Sequence, residues 1–73
     1  MSIIHAFFGP EPVELVLHAV YTIDADDDGF TTEVILVDAK TRRITRKGLI
    51  AVGRGTTIAA AIEYAKRSVW LVQ

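Results

Sequence analysis

Residues 48–69 read GLIAVGRGTTIAAAIEYAKRSV, and this stretch decides the fold because it predicts a strand, a glycine turn at 53–55 and a helix in succession. Residues 49–52 form a short apolar run between two glycines, which is typical of a buried strand. Thr56 or Thr57 stands where a helix N-cap is expected. Apolar residues then recur at helical spacing, at Ile58, Ile62, Ala65 and Val69. We therefore expect a helix over residues 56–69 that packs on a sheet supplied by the rest of the chain.

The residues before this stretch predict the strands of that sheet. In residues 13–23 apolar side chains recur with period two, which predicts a strand, although their spacing also fits a helix. Residues 30–39 are rich in β-branched side chains and predict a second strand, and residues 44–52 predict a third. Residues 1–9 are mostly apolar and stop at a Gly-Pro pair, so they fit either a short strand or a packed arm.

These elements predict a single α+β domain over residues 1–73. Its sheet is expected to be an antiparallel meander of about three to four strands, with residues 13–53 as the main part. One C-terminal helix is expected to pack on one face of this sheet. Residues 69–73 fit either an extension of that helix or a short edge strand.

The predicted strands carry apolar side chains on both faces. Leu15 and Leu17 alternate with Val16 and Val20, whereas a sheet with one face in water usually alternates apolar with polar residues. Either the N-terminal arm or a second copy of the chain must therefore cover the second face. A chain this short buries only about 60–65% of its unfolded surface, so a homodimer would also enlarge a small core.

The composition excludes several kinds of site. The chain has no cysteine, so disulfides and thiolate metal sites are ruled out, and His5 and His18 are its only imidazoles. Each histidine stands among apolar residues and is expected to be packed or hydrogen-bonded rather than catalytic. No catalytic, cofactor or metal-binding motif is found, so we expect a protein that is not an enzyme and that uses no cofactor or metal.

The hydropathy of the chain predicts its location. With 51% hydrophobic and 23% charged residues, the composition is that of a globular domain. No apolar run approaches the roughly 20 residues that span a bilayer, and the first residues lack the pattern of a secretory signal. We expect no membrane partner and a cytoplasmic location, which is the host cytoplasm if a phage encodes the chain.

The charges are separated along the chain. Residues 1–39 hold eight acidic residues and no Lys or Arg, whereas residues 40–73 hold eight basic residues and one acidic residue. The two parts carry formal charges of −8 and +7, which leave the net charge of −1. Successive turns of a meander lie at opposite ends of the sheet, so the acidic turn (24–29) and the basic hairpin (40–47) are expected about 25 Å apart. That separation exceeds the screening length of about 8 Å, so each end can bind a partner independently.

The acidic turn is the first candidate binding site, and its plainest interpretation is a solvated hairpin turn. Its carboxylates match the start of an EF-hand loop, but the position of the bidentate glutamate is Ile35 and the flanks are predicted strands, so no calcium site is expected. The cluster could instead imitate phosphates and dock on the basic surface of a protein. The residues expected to make that contact are Asp24, Asp26, Asp27 and Asp28. Apolar anchors for the same partner are expected at Phe30, Tyr64 and Trp70.

The basic hairpin is the alternative site, and it would bind nucleic acid. Its five bases could contact several phosphates, although no aromatic residue stands between them. The Gly-Arg-Gly turn could add Arg54 to the positive N-terminal end of the helix and form an anion site; otherwise Arg54 is expected to pair with the acidic turn. The residues for nucleic-acid or anion binding would be Lys40, Arg42, Arg43, Arg46, Lys47 and Arg54.

Together these patterns predict a small non-enzymatic protein that works by binding another protein and that forms a homodimer. Its size and separated charge suit an inhibitor, encoded by a phage or mobile element, that blocks a host defence or nucleic-acid-handling complex. A nucleic-acid-binding module that uses the basic hairpin and the Gly-Arg-Gly turn is the first alternative. A structural subunit of a larger assembly is the second.

Overall fold

A computed structural model of the chain describes residues 2–24, 30–40 and 48–72. They form a five-stranded sheet in which the order of the strands in space follows their order in the chain. All neighbouring strands are antiparallel. The elements are β1 (Ile4–Phe8), β2 (Glu11–Asp24), β3 (Phe30–Asp38), β4 (Leu49–Gly55), α1 (Ile58–Lys66) and β5 (Val69–Leu71). The predicted α+β class is confirmed, and the sheet has more strands than expected because both terminal segments join it.

The N-terminal segment is a strand of the sheet and not an arm that crosses it. β1 pairs with β2, and Phe8 lies opposite Glu11, so Gly9 and Pro10 form the connecting turn. Gly9 has a φ of 64°, a left-handed conformation that glycine adopts without strain. Phe7 and Phe8 are both exposed. The alternative in which an N-terminal arm covers the second face is therefore wrong, because pairing with β2 holds these residues at the edge of the sheet.

β2 is a single strand of 14 residues, which settles the choice between strand and helix for residues 13–23. It pairs with β3, with one register shift between Leu17 and Ala19. Such a bulge adds one unpaired residue to β2, so the alternation of side chains between the two faces changes phase there. Val20 consequently shares a face with Leu15, and the expectation that they lie on opposite faces is wrong.

β4 extends further than the sequence predicts. A strand was expected over residues 44–52, followed by a turn, but residues 41–47 lie outside the described ranges and β4 includes the whole Gly-Arg-Gly sequence. Its last residue, Gly55, still pairs with Thr32 of β3. Glycines commonly mark the end of a strand. Gly53 and Gly55 instead lie within β4, at the positions where this strand packs against α1.

α1 lies directly on β4 because two glycines of that strand carry no side chain. A Cβ atom at Gly53 would overlap the backbone of Ala61 and of Ala65, and it would come within 2.9 Å of the Ala65 Cα. A Cβ atom at Gly55 would lie 2.8 Å from the Cβ of Ala60. Small residues on both elements thus bring the helix backbone close against the strand.

α1 begins at one of the two predicted N-caps. Thr57 is extended, with φ −133° and ψ 164°, and its Oγ1 accepts a hydrogen bond from the Ala60 N–H at 3.1 Å. The helix ends at Lys66, earlier than predicted, and the chain then forms the short edge strand that was one alternative for residues 69–73. In the described ranges, no helix combines the length and the apolarity that crossing a bilayer requires.

The core lies between α1 and one face of the sheet. Its buried residues are Ala6, Leu15, Val34, Leu36, Ala51, Ala61 and Ala65. Half-buried residues pack against them, at Ile4, Val13, Leu49, Ile62 and Val69. The sheet curls, so that β1 and β5 come close to each other although they stand at opposite ends of the strand order. Few of the buried side chains are large, as expected for a chain of this length.

We expect Thr57→Ala to lower the free energy of unfolding by about 1 kcal/mol, because the Ala60 N–H would lose its acceptor at the start of the helix. Urea unfolding followed by circular dichroism measures the loss. Thr56→Ala is the matched control, since Thr56 is an exposed neighbour whose side chain makes no hydrogen bond to another described residue. It should change the stability by less than about 0.5 kcal/mol. Equal losses in the two variants would contradict the capping role.

Candidate protein-binding surface

The acidic turn connects the end of β2 to the start of β3. Asp24 is the last residue of β2 and lies opposite Phe30, the first residue of β3. Asp26, Asp27 and Asp28 lie outside the described ranges, so their part in docking stays a prediction. The flanking segments are strands, as expected, and not the helices of an EF-hand.

The three predicted apolar anchors are exposed, but they do not share one surface. Trp70 lies in β5, opposite Ile50 of β4. Tyr64 lies on the outer side of α1, whose inner side carries the buried alanines. Phe30 opens β3, and the alternation of side chains places it on the helix-bearing face of the sheet. Trp70 therefore stands on the opposite side of the sheet from the other two residues.

The basic hairpin begins where β3 ends. Lys40 is exposed, and its backbone N–H donates a hydrogen bond to the Asp38 Oδ1 at 2.8 Å. The other predicted contacts of this hairpin lie outside the described ranges, namely Arg42, Arg43, Arg46 and Lys47. β3 has nine residues, which corresponds to roughly 30 Å between the acidic turn and the start of the basic hairpin. The two charged segments thus begin at opposite ends of this strand, as predicted.

Arg54 forms an ion pair within the sheet. Its Nε lies 2.7 Å from the Oε2 of Glu33, on the neighbouring strand β3. Gly53 and Gly55 face α1, so the Arg54 side chain between them points to the other side of the sheet. The structure therefore does not bring Arg54 to the N-terminal end of the helix, and the expected anion site there is not formed by these groups. Among the described residues its partner is Glu33 rather than the acidic turn.

The face of the sheet opposite to α1 is largely apolar, which confirms that both faces carry apolar residues. We call it the helix-free face, because α1 packs on the other face. Strand pairing arranges its side chains in rows. The rows are Val16, Val37, Ile50 and Trp70, then Ala19, Ile35 and Val52, then Tyr21, Glu33 and Arg54.

Only part of the helix-free face is open to solvent. Its buried residues are Val16, Val37 and Ile50. In contrast, Trp70 is 48% exposed and Tyr21 is 51% exposed. The side chain of Arg54 is 65% exposed. Between these three lies a half-buried apolar floor, formed by Ala19, Ile35 and Val52. We call these six residues the open patch.

The open patch contains residue types that are frequent in protein interfaces. Trp, Tyr and Arg are the residue types that most often dominate the binding energy of protein interfaces. Glu33 is only 17% exposed and holds Arg54 in one orientation, so less side-chain freedom would be lost when a partner binds. The patch thus combines an apolar floor, two exposed aromatic rings and one oriented cation.

Sequence reasoning missed Tyr21 and Glu33. The available signal was the apolar character of both strand faces, which predicted that either the N-terminal arm or a second copy covers the second face. The bulge in β2 and the register between β3 and β4 decide which residues meet on that face. Neither of these can be read from one strand alone.

Both histidines are exposed, so the alternative in which they are packed among apolar residues is wrong. His5 lies in β1, an edge strand, opposite Glu14 of β2. His18 lies at the bulge, between the two positions where the register of β2 shifts. His5 points to the opposite face of β1 from its buried neighbour Ala6, and His18 is the extra residue of the bulge, which explains both exposures.

Two shallow depressions lie elsewhere on the described surface. One, of about 200 Å³, lies between the starts of β2 and β4, beside Lys40. The other, of about 220 Å³, lies on the outer side of α1, beside Glu63 and Tyr64. Ligand pockets usually have volumes of about 300–1,000 Å³, so both depressions are smaller than a usual ligand pocket.

Glu63, beside the second depression, is an ionised carboxylate. A hydrogen bond from Lys66 and the positive charge of Lys66 lower the pKa of Glu63, so it is ionised at neutral pH and is no proton donor.

Comparisons of this chain with protein-family models, with characterised proteins and with solved structures give no match. The open patch is therefore identified by its geometry and chemistry alone.

Proposed function

We propose that this chain is a small non-enzymatic protein-binding protein whose contact surface is the open patch. The observation that carries this proposal is the exposure of Trp70, Tyr21 and Arg54 around an apolar floor on the helix-free face. Side chains of these types supply most of the binding energy in protein complexes. A partner with a complementary apolar area would remove the floor from water, which is the main favourable term in such association.

The charge around the open patch suits a partner whose binding site has a basic border. Glu33 offsets the charge of Arg54, so this ion pair adds no net charge to the patch. The acidic turn joins β2 and β3 at the end of the sheet where Tyr21 and Arg54 lie. In this proposal Asp24 and the aspartates that follow it attract a basic surface from a distance, and the open patch then makes the short-range contact.

An inhibitor is the biological role that we propose for such a surface. Covering the site of another protein is enough to block it, and it requires no catalytic group. A small chain encoded by a phage or mobile element could act in this way on a host complex. The binding energy would be concentrated in the few exposed side chains of the open patch.

Exchange of the patch residues should remove partner binding. We expect the tagged chain to capture a specific protein from a lysate of its source cells, and Trp70→Ser and Arg54→Ser each to weaken this binding by about 30-fold or more. Mass spectrometry identifies the captured protein, and titration calorimetry with that purified protein measures the affinities. Ile58→Ser is the matched control, because Ile58 is 51% exposed but lies on α1. It should bind as the wild type does.

Equal binding by all variants, or an equal loss in Ile58→Ser, would contradict the proposal. The nucleic-acid alternative gives a different result, namely binding of a mixed-sequence DNA or RNA oligonucleotide that falls steeply with salt. It also requires that neutralising Arg42, Arg43 and Arg46 abolishes this binding. The light-scattering mass with and without oligonucleotide, at low and high salt, separates the two functions.

A further inference from the structure

β2 extends well beyond the strand that pairs with its outer side. β1 pairs with β2 only as far as Leu15, whereas β2 continues to Asp24. On its inner side β2 pairs with β3 to the end. Within the described ranges, no strand pairs with the outer side of residues 19–23. These residues form a free edge of the sheet.

Backbone groups of Val20 and Thr22 point outward from this edge. The Ala39 N–H donates to the Glu14 carbonyl at 3.0 Å, so odd-numbered residues of β3 turn their hydrogen-bonding groups toward β2. The β2 residues opposite them after the bulge are Ala19, Tyr21 and Ile23. Val20 and Thr22 lie opposite even-numbered residues, so their N–H and C=O groups face away from β3.

The free edge lacks the features that usually protect an unpaired strand. Residues 19–23 read AVYTI and contain no charged residue and no proline. Their side chains are exposed on both faces, with Val20 at 40% on one and Tyr21 at 51% on the other. A strand with outward backbone groups and exposed apolar side chains is a template for pairing with another strand.

We propose that this free edge pairs with the same edge of a second copy, so that two chains join β2 to β2 across a two-fold axis at Tyr21. Antiparallel pairing about Tyr21 places Val20 of each copy opposite Thr22 of the other. In each of these two symmetry-related pairs, the outward N–H groups donate hydrogen bonds to the outward C=O groups of the other copy. The two Tyr21 rings then lie opposite each other, as in cross-strand aromatic pairs that stabilise sheets. The two sheets become one continuous sheet.

Charge and symmetry favour a second copy over a foreign peptide. The N-terminal part of the chain is strongly acidic, but residues 19–23 are uncharged. Two copies can therefore pair along these residues without placing like charges directly opposite each other. The two-fold axis also brings the outward groups of Val20 and Thr22 into register with no shift of either strand. Such an isologous contact uses both edges and closes the assembly at two chains.

The dimer goes beyond the proposed function and does not depend on it. It shares Tyr21 with the open patch but leaves Trp70 and Arg54 accessible.

Light-scattering mass and amide exchange test this pairing. The wild type is expected to show twice the monomer mass of 8.0 kDa and to dissociate on dilution. The amides of Val20 and Thr22 should exchange at least about 10-fold more slowly in the dimer, because they become hydrogen-bonded there. Thr22→Pro removes one outward N–H and spares the pairing with β3, and Val20→Lys places a charge on the edge. Both variants should be monomers with unchanged circular dichroism.

Two controls separate this proposal from the proposed function. Ala59→Lys adds the same charge at an exposed position of α1 and should leave the dimer intact. Trp70→Ser should also remain a dimer, although it loses the captured partner. A wild type that is monomeric at its highest soluble concentration would overturn the pairing, and so would fast exchange of the Val20 and Thr22 amides in a dimer. Loss of the dimer in Trp70→Ser alone would likewise reject it and would show that the helix-free faces meet.

Discussion

Gly53→Ala is expected to lower the free energy of unfolding by more than about 3 kcal/mol. The added Cβ would overlap the backbone of Ala61 and of Ala65, which cannot move aside as a flexible side chain can. Overpacking by one methyl group usually costs about 1–3 kcal/mol when side chains can adjust, so a clash with backbone lies at or above that range. In a domain of this size 1 kcal/mol shifts the Tm by about 4–8 °C. Calorimetry should therefore show a Tm at least about 12 °C lower.

Gly9→Ala is the matched control for this variant. A Cβ atom at Gly9 would meet nothing within 4 Å, so the substitution adds only the cost of a left-handed backbone at φ 64°. That cost is about 1–2 kcal/mol. A loss in Gly53→Ala no larger than the loss in Gly9→Ala would show that α1 does not lie as close to β4 as described.

Leu36→Ala is expected to cost about 3–5 kcal/mol, because it removes a fully buried side chain from the central strand of the sheet. Leu36 packs in a cluster that has few other large side chains, among them Leu15 and Val34. Few neighbouring side chains are therefore large enough to move into the cavity that the substitution leaves. Chemical unfolding measures the loss, and all variants must be compared at one protein concentration because a dimer would add to the apparent stability.

Leu17→Ala is the control for Leu36→Ala. The two leucines lie directly opposite each other on β2 and β3, and the same atoms are deleted at both positions. Leu17 is 40% exposed whereas Leu36 is 0% exposed. The loss in Leu17→Ala should stay below about 1.5 kcal/mol, in proportion to the smaller area that it buries. Similar losses at the two positions would mean that the core does not lie where the structure places it.

Much of the fold could be predicted because the local signals agree with the tertiary structure. The helical spacing after Thr57 and the period of two in β2 both identify their elements correctly. The end of β4 could not be predicted in the same way. Gly53 and Gly55 resemble turn residues in a sequence, and only the presence of α1 above them explains why they lie in a strand.

The candidate binding surface was harder to predict, because its residues come together through strand register. One extra residue at the bulge decides that Tyr21, and not Val20, shares a face with Ile35. The pairing of β3 with β4 decides that Arg54 meets Glu33. The sequence predicted that the second face is covered, by the N-terminal arm or by a second copy. Of its three predicted anchors only Trp70 lies on that face, whereas Phe30 and Tyr64 lie on the other side of the sheet.

The order of the strands also bears on how fast the chain can fold. Each strand pairs with the strand that precedes it in the chain, so β1 to β4 can assemble as successive hairpins, whereas α1 lies between β4 and β5. Sheets whose strands pair in chain order fold faster than sheets of equal size whose strands pair across long separations. The contact between β1 and β5 joins the two ends of the chain. Closing it costs more loop entropy than any pairing of consecutive strands. This cost is smaller if the hairpins between β1 and β5 form first, because they shorten the chain that must be closed.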